Sequence, residues 1–134
     1  MAWPNRVVVL ESAVSSARAA SNFKHIDQLR ALLEKFVTLY WLALVHGGGD
    51  NDAHCALGWG YASDKGQASR STTCMVRERT FRYEGKDLVM WKHLRIGTKE
   101  TPAETIRIHF EWDAAKQLLV IGWCGAHLHG PQEK

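Results

Sequence analysis

The hydrophobic pattern changes period once, near Thr72, and that change limits what the chain can fold into. Upstream, Ile26, Leu29, Leu32, Leu33, Phe36, Val37, Tyr40, Trp41, Leu44 and Val45 recur at spacings of three and four, the apolar stripe of an amphipathic helix. Ser21 or Asn22 can cap its start, and Gly47-Gly48-Gly49 ends it. Downstream the period is two, which predicts strands over Arg79–Tyr83, Leu88–Ile96, Thr105–Trp112 and Leu118–Trp123. Glu84-Gly85-Lys86 and Asp113-Ala114-Ala115-Lys116 are hairpin turns, with Gly85 supplying a positive φ. Thr98–Ala103, with Pro102, is a looser connection. Short links favour an antiparallel arrangement. The expectation is a single α+β domain, with N-terminal helices packed on one face of a C-terminal antiparallel β-meander of about four strands. The helical part covers about 11–46, a loop-rich segment 47–71 and the sheet 72–128.

Ahead of the long helix, Val7–Leu10 suits an edge strand or a helix lead-in, and Glu11–Ala20 suits a short helix. Asp50–Ser71 reads as a loop with one short element around Cys55–Tyr61. Its glycines do not follow the strand–GxGxxG–helix order of a dinucleotide site. At 134 residues one good core is affordable without staples. Three cysteines, Cys55, Cys74 and Cys124, do not make a disulfide framework and point to a reducing, cytoplasmic location. Val7–Leu10 is too short for a signal-peptide core, and Phe36–Val45 is about half a membrane span, so no membrane contact is expected.

Charge is uneven along the chain. Between Arg77 and Lys99, seven cations stand against Glu78, Glu84 and Asp87, more than the whole chain's net +3. Such a segment suits an anionic partner, or simply a solvated strand face. Arg79, Arg82, Lys92 and Arg95 are its candidate RNA contacts.

Strand 105–112 carries the most information. Ile106, Ile108, Phe110 and Trp112 alternate with Thr105, Arg107, His109 and Glu111, so the first set should meet Leu29, Leu33, Phe36 and Tyr40 while the second faces away. A turn centred between Ala114 and Ala115 places Phe110 opposite Leu119, Ile108 opposite Ile121 and Arg107 opposite Gly122. His93 and Arg95 belong to the same outer face, and His127 can fold back onto it. His93, Arg95, Arg107, His109 and His127 together suit phosphodiester cleavage: imidazoles exchange protons near neutral pH and guanidiniums stabilise charge on phosphate. His93, Arg107, His109 and His127 are the candidate catalytic residues, on a face expected to be partly exposed.

The stretch Lys92-His-Leu-Arg-Ile-Gly, then Thr105-Ile-Arg-Ile-His-Phe-Glu-Trp-Asp, then Leu118-Leu-Val-Ile-Gly-Trp-Cys-Gly-Ala-His-Leu resembles the RelE/ParE-type toxin superfamily over Lys86–Leu128. The resemblance implies a small α+β fold, ribosome-dependent mRNA cleavage or gyrase inhibition, and a cognate antitoxin. Arg107 matches that family's strand arginine, and Lys92 and Arg95 its basic strand positions. Asp50–Ser71 is an addition, and Gly-Ala-His-Leu replaces the usual lysine- or tyrosine-bearing tail.

Cys124-x-x-His127-x-His129 has zinc-like spacing but no clear fourth ligand, so neither metal nor cofactor is expected. Cys74 reads as an ordinary strand residue, and Ser69–Thr73 as a polar loop. Three functions fit. The first is a RelE-like toxin, a translation-inhibiting ribonuclease whose partners are RNA or the ribosome and an antitoxin protein. The second is a non-catalytic module binding nucleic acid or protein. The third is a small-ligand domain with an apolar cavity lined by Trp41, Trp59 or Trp112.

Overall fold

The computed structural model describes residues 5–63, 73–97, 101, 103–126 and 128. Strand β1 (Val7–Val9) leads into helix α1 (Glu11–Ala19). The long amphipathic stripe forms α2 (Ile26–Lys35), a π-helical turn (Phe36–Tyr40) and α3 (Trp41–Val45) in unbroken succession. There follow α4 (Asp50–Leu57), a 3₁₀ turn (Gly58–Gly60), β2 (Tyr61–Ser63) and α5 (Thr73–Glu78). The remaining strands are β3 (Thr80–Tyr83), β4 (Lys86–Val89), β5 (Lys92–Ile96), β6 (Ile106–Asp113) and β7 (Leu118–Gly125).

The class is α+β, with helices toward the N-terminus and most strands toward the C-terminus, and the strands divide into two sheets. Five lie in the order β1-β7-β6-β5-β2, while β3 and β4 form a separate pair. The expected strand over Leu88–Ile96 is therefore two strands. The chain leaves the hairpin and enters the main sheet at Met90 and Trp91, so the antiparallel meander is β5-β6-β7 and not a run of four. The hairpin turn has Glu84 and Gly85 at φ 50° and 79° with Tyr83 paired to Lys86, a two-residue turn with two left-handed positions. β1 is an edge strand, parallel to β7.

The π-helical turn has a packing consequence. Its wider winding puts Phe36, Val37 and Tyr40 together on the sheet side, all buried. Phe36 meets Phe110 edge-on at 4.8 Å, and Tyr40 meets the same ring at 5.8 Å. Leu94, Ile108, Leu119 and Ile121 complete this core, with Leu29 and Leu33 packed at its margin. The long helix is capped differently from expectation: His25 is its N-cap, without a side-chain bond, and neither Ser21 nor Asn22 holds that place.

Beyond Ile121, no strand among the described residues pairs with the outer side of β7. The parallel ladder ends with the Leu10 N–H on the Ile121 carbonyl at 2.9 Å, and α1 runs on along the strand. The Ser12 hydroxyl donates to the Gly122 carbonyl at 2.6 Å, and the Cys124 N–H donates to Ser16 Oγ at 2.9 Å. Side-chain hydroxyls thus satisfy main-chain groups that a further strand would otherwise have paired.

The β6–β7 register differs from the expected one. Phe110 pairs with Ile121, so the turn is centred one residue later than Ala114/Ala115, with Gln117 at φ 56°. A bulge between His109 and Phe110 then displaces Gly122 from the ladder, which sets Ile108 opposite Cys124 and Arg107 opposite Gly125. Gly122 lies directly beneath the hairpin: a Cβ there would sit 2.7 Å from the Phe81 ring and 2.9 Å from Met90 Sδ. Phe81, Met90 and Val120 form a second core on this side, flanked by Leu10, Tyr83, Leu88 and Trp123. Among the described residues no helix is long and apolar enough to cross a membrane.

Candidate functional site

Strand pairing brings together the residues that alternation assigned to the outer face. His93 pairs with His109 and Arg95 with Arg107 across the β5–β6 ladder. The two imidazoles lie 4.8 Å apart between centroids, with their planes at 34°. The expected partial exposure is found at Arg95 but not at its three neighbours. His109 is 1% exposed, Arg107 7% and His93 8%; the crossover residues Met90 and Trp91 lie against the two imidazoles, and Phe81 of the hairpin lies over Gly122. His127 lies outside the described residues.

Burial obliges these groups to find partners. The Met90 carbonyl accepts from His109 Nδ1 at 3.1 Å, and the Trp91 carbonyl lies 3.4 Å from His93 Nδ1. Both carbonyls belong to the crossover peptides between β4 and β5. A carbonyl only accepts, so in each ring Nδ1 carries the proton, and in the neutral ring Nε2 is the basic nitrogen. Arg107 donates from Nη1 to the Ile96 carbonyl at 3.2 Å and to the Ile106 carbonyl at 3.0 Å.

The expected RNA-contacting cations are mostly engaged. Arg79 is buried and donates to the Met75 carbonyl, so it is not a surface contact. Arg82 is exposed but pairs with Asp87 at 2.8 Å, directly across the β3–β4 ladder. Lys92 is half-buried and bonded to Glu111. Of the four candidates, Arg82 and Lys92 are thus paired with carboxylates and Arg79 with a carbonyl.

Arg95 is the exception. Its guanidinium carbon lies 4.1 Å from the centroid of the Trp59 ring, and its Nε donates to the Trp59 carbonyl at 2.7 Å. Partial burial lowers its pKa from the ordinary value. Trp59 is 52% exposed. It sits between Gly58, at φ 61°, and Gly60, where a Cβ would approach a Leu32 methyl at 2.7 Å. The sequence reading named Trp59 only as a possible cavity wall. Six tryptophans in 134 residues, one of them in the triplet Gly58-Trp59-Gly60, are the features of the sequence that could have pointed to a displayed ring.

Of the tryptophans named as alternative cavity linings, Trp41 and Trp112 both pack at the margin of the helix-side core. Trp41 donates to the Gln117 carbonyl with Arg6 over its ring, while Trp112 lines an open concavity of about 360 Å³ between the hairpin and the β6–β7 turn. At its rim Tyr83 donates to Asp113 at 2.7 Å, and this bond, with the Lys116 N–H second, lowers the Asp113 pKa. Lys116, bonded to Glu84, is raised. On the opposite end of the sheet Glu104 receives Lys24 at 2.8 Å and His25 at 3.0 Å, which depress its carboxyl to about 2.

Among the described residues no three histidine, cysteine or carboxylate side chains cluster as metal ligands. Cys124 carries no disulfide, and burial pushes its thiol up to about 11; His127 and His129 fall outside the described residues. Comparison with protein-family models, with curated proteins and with solved structures gives no match to this chain.

Proposed function

We propose that the chain acts on RNA as a RelE-like, translation-inhibiting endoribonuclease, with His93 and His109 as its acid–base pair and Arg95 and Arg107 as phosphate ligands. The observation that carries this reading is the pair itself: two imidazoles on neighbouring strands, 4.8 Å apart, each with Nδ1 directed at a main-chain carbonyl. With Nδ1 as the donor, Nε2 is the basic nitrogen, and on one ring it takes the proton of a 2′-hydroxyl. The attacking oxygen forms a bond to phosphorus, and the other ring, protonated, gives its proton to the departing 5′-oxygen. A cyclic phosphate and a 5′-hydroxyl end result. Two cross-strand guanidiniums, one position outward on the same face, suit the charge that builds on the phosphoryl oxygens.

RNA reaches these rings only if the β3–β4 hairpin lifts. In support, that hairpin shares no ladder with the main sheet. The same burial supports a second reading. At 1% and 7% exposure, His109 and Arg107 also fit buried polar groups that satisfy crossover and strand carbonyls, in a module that binds without cleaving.

Asparagine separates the two. His93→Asn and His109→Asn each place an amide N–H near Nδ1 and delete Nε2, whereas alanine would also leave a void. Unpartnered expression of the wild type is expected to slow growth and to cut ribosome-bound mRNA. Each folded variant, checked by circular dichroism, is expected to cleave about 10²–10⁴-fold more slowly. Undiminished cleavage by a folded His109→Asn variant would remove it from the chemistry. A wild type that neither cleaves nor slows growth, with or without ribosomes, would select the binding module.

A further inference from the structure

We infer that the Trp59–Arg95 pair is a nucleobase platform, the place where one base of a single-stranded RNA stacks while its backbone runs toward the His93–His109 face. The inference deepens the RNA reading and rests on it. An indole half in water is ordinary; this one is also fixed. Its carbonyl is held by Arg95 Nε, one ring face is covered by the guanidinium at 4.1 Å, and glycines on both sides set its path. A flat aromatic surface held in place before binding loses little freedom when a base settles on it. Stacking needs no particular base, because every base has a π-face.

Its position gives the second half of the case. Arg95 is two residues from His93 on β5, about 7 Å along a strand, and it is the register partner of Arg107. The platform and the imidazoles therefore lie within one short stretch of nucleic acid strand. Arg95 serves both ends: its planar cation stacks on the indole, and its charge attracts phosphate. Single strand is favoured over duplex because only unpaired bases can leave their own stack to lie on a side chain.

The test uses the full chain and a dye-labelled single-stranded RNA twelve nucleotides long, beside an abasic strand of equal length and charge. Binding is followed by anisotropy in the His109→Asn background, so that cleavage does not intrude. The strand with bases is expected to bind about tenfold or more tightly than the abasic one. Trp59→Ala should erase that preference, leaving affinity for the abasic strand unchanged. Trp59→Phe should keep most of it. Equal binding of the two strands, a preference that survives Trp59→Ala, or no RNA binding at all would each overturn the platform. The catalytic reading fails separately: a His109-bearing chain that shows the base preference and never cuts RNA keeps the platform and loses the nuclease. Cleavage without base preference does the reverse.

Discussion

The two faces of the five-stranded sheet are built from the same strands and held by different forces. Toward the long helix, Ile108, Phe110, Leu94 and Leu119 are buried among Phe36, Tyr40 and Tyr61; this side is held mainly by apolar area and ring packing. Toward the hairpin, His93, Arg107 and His109 are also buried, yet they are bonded to carbonyls, and the apolar contribution comes from a smaller cluster centred on Phe81, Met90 and Val120. Burial on the first side is a property of the residues themselves. On the second it is imposed by a neighbouring element, and the polar groups are tolerated because each has a partner.

The contrast breaks most readily at Phe110. Phe110→Ala removes the ring that Phe36, Tyr40 and Tyr61 all touch, and a loss of about 3–5 kcal/mol is expected in urea unfolding. A loss under about 1 kcal/mol would mean the helix side is not the dominant core. On the other side, Gly122→Ala pushes a methyl into the Phe81 ring. It should cost about 1–3 kcal/mol, and a smaller side chain in Phe81→Leu should recover part of the loss. Equal stability of wild type and Gly122→Ala would show that the hairpin does not rest on the sheet there. The smallest effect sharpens the picture at the sheet's end. Glu104 has its carboxyl depressed from 4.5 to about 2, with Lys24 the larger cause and His25 the second. Its contribution to stability is therefore present above pH 4.5 and is lost as pH falls toward 2. The difference in denaturation midpoint between wild type and Glu104→Gln should be constant near pH 6 and shrink across that window. A difference independent of pH would detach it from the carboxylate.

Alternation in β6 was legible because period two is local, and Ile106, Ile108 and Phe110 are buried as expected. The long helix was legible for the same reason, whereas its π-helical turn leaves the spacing of apolar residues nearly unchanged and could not be read. His93, Arg95, Arg107 and His109 share one face as expected, with His127 outside the described residues, but the exposure of His93, Arg107 and His109 was misjudged. A strand's polar face looks solvated in sequence, and only the sheet switch at Met90–Trp91 determines that the hairpin returns over it. That switch has no Gly or Pro to announce it. The register failed first at the turn, centred one residue later than Ala114/Ala115, and again at the extra residue Gly122, which one strand alone does not reveal. Asp50–Ser63 was read mostly as loop because α4 is short and weakly patterned, and Tyr61, whose hydroxyl donates to Asp50 at 2.7 Å, acquires its role only from the fold.

The serines of α1 carry a consequence for how this molecule meets others. An uncovered strand edge is a template on which a second copy, or a stray peptide, can lengthen the sheet, and fibres grow by that route. Ser12 and Ser16 already occupy the Gly122 carbonyl and the Cys124 amide, so an incoming strand would have to displace both hydroxyls and the helix that carries them. This stretch of β7 is closed to polymerisation by two small hydroxyl side chains and the helix that carries them.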